Sequence, residues 1–356
     1  MQDKAYFSLR EFLDRFPLGF PKTEKGVEIA ILKRLFTPEE AETAVLLSPF
    51  PETAGQIAAR AGIDEKSLAG RLESMSRKGL VFRLTRDSNT FFNSAPFMIG
   101  IYEYSVKKMD AELAALFKEY YDLAYQNEMA VSNVPGFKVL PISESICADA
   151  TLYPYPAVEK EIRAAKTIAL AECVCRKESR LTGHGCDYPL ETCLSFGVAA
   201  RYYIENGMGR EITADEAIEV LHEADRAGLV HAGVNTAHLS NICNCCPCCC
   251  ASMKGITQKG HDRHRYFNAL YEAVVDPDLC AGCGDCEARC PVDAVAVSET
   301  AVVDAGLCLG CGLCAGVCPT AAIALRLKPG REEPFGRVLD LGIAILEAKE
   351  KMKGAT

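Results

Sequence analysis

Apolar residues recur with helical spacing through the first third of the chain, then give way to short apolar runs punctuated by glycine and cysteine. Between residues 22 and 92 the pattern predicts three helices and a hairpin. Thr37-Pro38-Glu39-Glu40 opens the first helix with a capping side chain and a proline at the first helical position, and Ala44, Val45, Leu46 and Leu47 supply its apolar face. The second runs from about Thr53 to Ala61 and stops at Gly62. The third, Asp64 to Lys78, closes at Gly79 and offers Ile63, Leu68, Leu72 and Met75 to a core. Leu80 to Phe92 alternates like two strands turning at Asp87-Ser88-Asn89. That order of elements reads as a winged helix-turn-helix.

Residues 96 to 136 predict a helical connection, with Leu113, Leu116, Phe117, Tyr120 and Tyr121 on one face and Val134-Pro135-Gly136 as its end. The aromatic stripe is read as core. Beyond it come a helix from Pro156 to Ala165 and an apolar strand, Thr167 to Ala171, that delivers Cys173 and Cys175. A helix opened by the capping box Thr213-x-x-Glu216 then stops before Gly228, and a short strand follows at Leu229-Val230-His231.

With 356 residues the chain exceeds one hydrophobic core and predicts two or three domains. No run of about 18 apolar residues is present, and acids interrupt the N-terminal stretch, so the expectation is a cytoplasmic protein with no membrane span. A net charge of -9 argues against general nucleic-acid binding. Residues 22 to 92 carry eleven basic against ten acidic side chains, a weak phosphate-binding signature. Docking or homodimerisation is therefore the favoured reading of the N-terminal region. If it does bind DNA, Lys66, Arg71, Arg77 and Lys78 are the expected contacts.

Nineteen cysteines, an odd count crowded at one- to three-residue spacings, fit metal ligation better than disulfides. Eight of them form a duplication: Cys280-x2-Cys283-x2-Cys286-x3-Cys290-Pro291 and Cys308-x2-Cys311-x2-Cys314-x3-Cys318-Pro319. Both copies resemble the cysteine run of the two-cluster bacterial ferredoxins, in which three thiolates wrap one cubane and the fourth reaches the other cluster. The resemblance implies two 4Fe–4S clusters. Cluster I would take Cys280, Cys283, Cys286 and Cys318; cluster II would take Cys308, Cys311, Cys314 and Cys290. A pair of structural zinc sites is the competing reading, disfavoured by the doubled register.

Ten more cysteines crowd the middle of the chain, leaving Cys147 alone. Cys173, Cys175, Cys186 and Cys193 could close one tetrahedral site among themselves. Cys243, Cys245, Cys246, Cys248, Cys249 and Cys250 are too dense for one cube. Vicinal cysteines point more naturally to opposite sides of the chain, so two clusters could share the segment. One or two additional iron–sulfur clusters are the expectation, with zinc or free thiols as alternatives. His184, His231 and His238 are weighed as ligands or hydrogen-bond donors to sulfide, Arg176 as a screen for cluster charge, and Asp187 and Glu191 as surface or capping groups.

Cys-Val-Cys-Arg, Gly-His-Gly-Cys-Asp, Gly-Leu-Val-His and Asn-Ile-Cys-Asn-Cys-Cys together resemble a family of iron–sulfur oxidoreductases that end in a two-cluster ferredoxin domain. That resemblance spans roughly residues 136 to 326 and implies anaerobic electron transfer. No dinucleotide fingerprint, P-loop or nucleophilic serine–histidine pair is present, and Gly207-x-Gly209-Arg210 is too short to count.

The whole reads as an α+β multidomain protein. A winged helix-turn-helix covers 1–95, a helical connection 96–135, a cysteine-rich α/β domain 136–271, a ferredoxin-like domain 272–330 and a C-terminal helix 331–356. The expected function is single-electron transfer from a low-potential donor to a redox partner protein or to a site in the middle domain. A redox- or oxygen-sensing transcription regulator is the alternative, and a reductase with an open-coordinated middle cluster a third reading.

Overall fold

Side-chain caps decide where several helices begin. Thr37 and Thr53 each accept from the backbone N–H three residues on, while Glu40 and Gln56 reach back to complete capping boxes. Asp64 caps the helix Glu65–Arg77 in the same sense. The computed structural model describes residues 2–141 and 155–353, so Cys147 lies outside the described residues.

Two compact units divide the chain and interleave along it. The first takes Met1–Met129, Ala171–Cys186 and Val198–Arg210; the second takes Ala130–Leu170, Asp187–Gly197 and Glu211–Thr356.

In the first unit, helices Val27–Leu35, Pro38–Ala44, Ala54–Ala61 and Glu65–Arg77 precede strands Val81–Arg86 and Asn89–Ser94. The short strand Glu52–Thr53 joins the hairpin to make a three-stranded sheet. Leu68, Leu72 and Met75 are buried, but Ile63 is 43% exposed: it follows the left-handed Gly62 and so leaves the apolar face of the helix before it. The capped helix ends at Ala44, which leaves Val45 and Leu46 half-buried in a turn.

Residues 96–136 are not one helix. An irregular turn, Phe97–Ile101, comes first; the helix Ala111–Tyr120, whose start is fixed by Asp110, then widens into a π-helical turn at Tyr121–Tyr125 and runs on through Gln126–Met129. Its buried aromatics are core: Phe97 packs edge-on against Tyr120 at 5.5 Å and Tyr125 at 4.8 Å, and Tyr102 against Phe117 at 5.0 Å.

The second unit is built on a mixed sheet ordered Phe267–Asn268, Phe137–Val139, Val230–Val234, Asn241–Cys245, Glu191–Phe196, Ile168–Glu172, Arg210–Glu211. One face is closed by the helices Tyr155–Ala164 and Ala214–Ala227. Val158, Ile162, Ala217, Ile218 and Leu221 bury there against Ile168, Leu170, Leu194, Phe196 and Ile242. Successive strand residues face opposite sides, so Cys193, Cys243 and Cys245 belong to the other face.

Residues from 271 onward continue this unit. Tyr271–Val275 pairs antiparallel with Ile323–Leu327, and Val295–Val297 with Ala301–Val303. Short helices Asp285–Arg289 and Leu313–Gly316 follow the left-handed glycines Gly284 and Gly312. Arg289 fastens the segment by donating to the Asp225 and Arg226 carbonyls at the end of helix Ala214–Ala227 (2.8 Å to the latter), where the negative end of the helix dipole favours a cation. The C-terminal helix spans Val338–Lys353, seven residues later than its sequence-based start.

Candidate metal centres

Tight loops in both copies of the duplication turn their cysteines inward around left-handed glycines. Gly282 and Gly310 both sit at φ +63°, and a Cβ on them would come within 2.6 Å of the Glu299 carbonyl and 2.1 Å of the Tyr271 carbonyl. Only glycine fits such an approach. Two cavities result. One is lined by Cys290, Cys308, Cys311 and Cys314, with Val292, Val295 and Leu309 as apolar wall. The other is lined by Cys280, Cys283, Cys286 and Cys318, with Val297 and Ile323. Each cavity thus draws three cysteines from one copy and a fourth from the other.

Backbone amides point at these sulfurs. The N–H of Ala294 donates to Cys290 Sγ at 3.2 Å and that of Ala322 to Cys318 Sγ at 3.2 Å, the same relation in both copies. Ala301 N–H reaches Cys280 Sγ at 3.3 Å and Gly310 N–H reaches Cys308 Sγ at 3.4 Å. Such donors stabilise sulfur-borne negative charge and tune a cluster held there. Burial pushes the Cys314 thiol up to about 12 and the Cys311 thiol higher still, with neighbouring cysteines adding to the rise. Cys286 is raised by burial as well. At Cys318 burial pulls upward too, yet the Thr320 hydroxyl and the amides of Ala322, Thr320 and Ile323 hold the thiol below its ordinary value. Cys286, Cys311 and Cys314, which burial makes reluctant to ionise alone, suit a cationic centre that removes their protons on binding.

Residues 273–296 and 301–324 each match the 4Fe-4S binding domain family. This 4Fe-4S domain is ferredoxin-type, and its two copies support binding of 4Fe–4S clusters. The chain matches no curated protein and no solved structure.

Outside the 4Fe-4S domain the remaining described cysteines are divided between the two units. Cys173 immediately precedes the helix Val174–Leu181 of the first unit, which carries Cys175 and the buried Arg176. Cys186 ends that segment, its carbonyl accepting from Arg180 at 3.2 Å. In the second unit the six-cysteine segment splits. Cys246, Cys248 and Cys249 bring their sulfurs within 4.8 Å of one another around the turn after the strand. The Cys245 thiol is instead hydrogen-bonded to Cys243 and Cys250.

Of the histidines considered as ligands, His184 and His238 are exposed. His231 is fully buried on the helix-covered face of the sheet, paired across the strands with Asn244, and its Nδ1 meets the Asn244 side chain. Burial lowers its pKa to about 4, so it is neutral at physiological pH. Asp187 and Glu191 are exposed. Sequence reasoning missed Asn241, whose Nδ2 donates to Cys243 Sγ at 3.5 Å. Its position two residues before Cys243, on the same face of a strand, is the signal that could have found it. The backbone donors of Ala294, Ala301, Gly310 and Ala322 carry no side-chain signature at all. Among the described residues no helix is long and apolar enough to cross a membrane.

Proposed function

We propose that this chain is an iron–sulfur electron carrier that takes single electrons from a low-potential donor and passes them to a partner oxidoreductase or to a site built from its own middle cysteines. The observation that carries the reading is the cross-lining of the two cavities: Cys318 faces Cys280, Cys283 and Cys286, and Cys290 faces Cys308, Cys311 and Cys314. These are the proposed ligand sets of clusters I and II. When bound, each cluster supplies a centre that takes up or gives out one electron. The chain's own residues hold the sulfurs in register, aim amide hydrogens at them and exclude water with Val292, Val295, Leu309, Val297 and Ile323.

Cys173, Cys175, Cys186, Cys193 and the cysteines from 243 to 250 are proposed to hold one or two further clusters. The N-terminal helices and hairpin are proposed to be a winged helix that docks a partner or a second copy rather than DNA. Two observations favour docking over DNA. Of the four cations that would meet phosphate, Lys78 pairs with Glu40 at 2.7 Å and Arg71 donates to Thr43 at 3.0 Å.

The test is anaerobic purification followed by iron and sulfide analysis and EPR of the reduced protein. Wild type should carry at least about eight irons per chain, and Cys318→Ala should lose the cluster of the first copy while keeping that of the second. A colourless protein, or one containing only zinc, sinks the proposal.

A further inference from the structure

Resting on that electron-carrier reading, we infer that Cys193, Cys243, Cys245 and Cys250 form a 4Fe–4S site of their own, distinct from the group made by Cys246, Cys248 and Cys249.

The strand Asn241–Cys245 sets this up. Ile242 points into the helix-covered core and Asn244 bonds His231 on that same side, so Cys243 and Cys245 share the opposite face. The ladder between Glu191–Phe196 and Asn241–Cys245 pairs Ser195 with Asn241 and Leu194 with Ile242. The next residues along the two strands are Cys193 and Cys243, both directed away from the core that holds Leu194 and Ile242. The strands stay close there, because Asn244 Nδ2 still reaches the Thr192 carbonyl at 2.6 Å.

Past Cys245 the chain turns at Pro247 and returns, with the Cys250 N–H bonding the Cys246 carbonyl at 3.3 Å. That turn carries Cys246, Cys248 and Cys249 to one side, where Cys249 Sγ lies 3.7 Å from Cys248 Sγ. It also brings Cys250 back to the Cys245 thiol, itself bonded to Cys243. Asn241 is the side-chain donor to this set. The Cys245 thiol engaged with both Cys243 and Cys250, a fourth thiol on the adjoining strand and an amide donor supply the four sulfurs that a cubane needs. The geometry also explains two cysteine pairs in the sequence: Cys245 and Cys246, and Cys249 and Cys250, are neighbours that serve different centres.

The experiment uses the full chain, reconstituted anaerobically with ferrous iron and sulfide, and counts metal and acid-labile sulfide. Cys193→Ala and Cys245→Ala should each lose about four irons, and the double variant no more than either alone. Cys248→Ala should lose a different set, so that combining it with Cys245→Ala adds the losses. Full iron in Cys193→Ala or Cys245→Ala, additive losses within that pair, shared loss between Cys245 and Cys248, or zinc in place of iron overturns the inference.

Because a variant can fail to fold, wild-type holoprotein is also alkylated anaerobically and mapped by peptide. Cys193, Cys243, Cys245 and Cys250 should be protected together until iron is chelated, and labelling of any of them beforehand overturns the assignment. The underlying reading fails separately: it fails if wild type lacks the roughly eight irons of the 4Fe-4S domain, whereas failure of this inference alone leaves that iron and its EPR signal intact.

Discussion

A single buried imidazole gives this fold a measurable acid sensitivity. His231 sits at about 4 in the folded chain, chiefly through burial, against an ordinary 6.5. The folded state therefore holds fewer protons than the unfolded one between these values, so the stabilisation is whole above about pH 6.5 and is lost as the pH falls toward 4. Between pH 7 and pH 5 this group should account for about 2 kcal/mol of lost stability. Denaturant titration of wild type and His231→Leu at both pH values reads it as the difference between their pH slopes; equal slopes would show the imidazole is not buried neutral. At the same scale, Asn241→Leu removes the N–H that faces Cys243 Sγ. The midpoint potential of the cluster proposed at Cys243 should shift negative, with the iron count unchanged, because a donor that stabilises extra negative charge on sulfur has been lost. Redox titration followed by EPR checks this, and an unchanged potential would remove Asn241 from the site.

Turns and caps are the elements on which the cavities depend. Gly310→Ala puts a Cβ against the Tyr271 carbonyl at a backbone angle that costs a side-chain-bearing residue about 1 to 2 kcal/mol before any clash. The variant should lose the cluster nearest Cys308 first, read as about half the iron of the 4Fe-4S domain; retention of full iron would mean the loop has slack. What the sequence made legible follows the same division. The Cys-x2-Cys-x2-Cys-x3-Cys register, the Thr213–Glu216 box and the Gly228 stop are local, set within a few residues, and each box and stop is formed where the spacing put it. The burial of Leu68, Leu72 and Met75 was legible for the same reason. Ile63 was misjudged because a left-handed glycine takes it off the helical period, and within the helical connection over 96–136 the non-helical stretch at Phe97–Ile101 has no signature in that period. Opposite pointing of vicinal cysteines was readable at Cys245-Cys246. It fails at Cys248-Cys249, because the rule assumes a strand and Pro247 has already begun a turn.

On the scale of the whole chain, nothing local announces that Ala171–Cys186 and Val198–Arg210 cluster with the N-terminal residues, since that depends on contacts between distant segments. Net charge is legible, however, and it bears on kinetics. A protein at -9 should be reduced faster by a cationic mediator and more slowly by an anionic reductant at low ionic strength, with both rates converging as salt screens the field. Stopped-flow bleaching with one reductant of each sign measures this, and rates indifferent to salt would imply that the acidic surface lies away from the electron entry point. The two cavities of the 4Fe-4S domain add an order of events during synthesis. Because the cavity of Cys280, Cys283 and Cys286 takes its last thiol from Cys318, and Cys290 waits on Cys308, Cys311 and Cys314, neither half of the duplication owns a finished coordination sphere. A ribosome paused between residues 290 and 318 would hold out the sulfurs of Cys280, Cys283 and Cys286 without their fourth partner to whatever oxidant the cell contains, so completion of the earlier half has to wait for the later one to emerge.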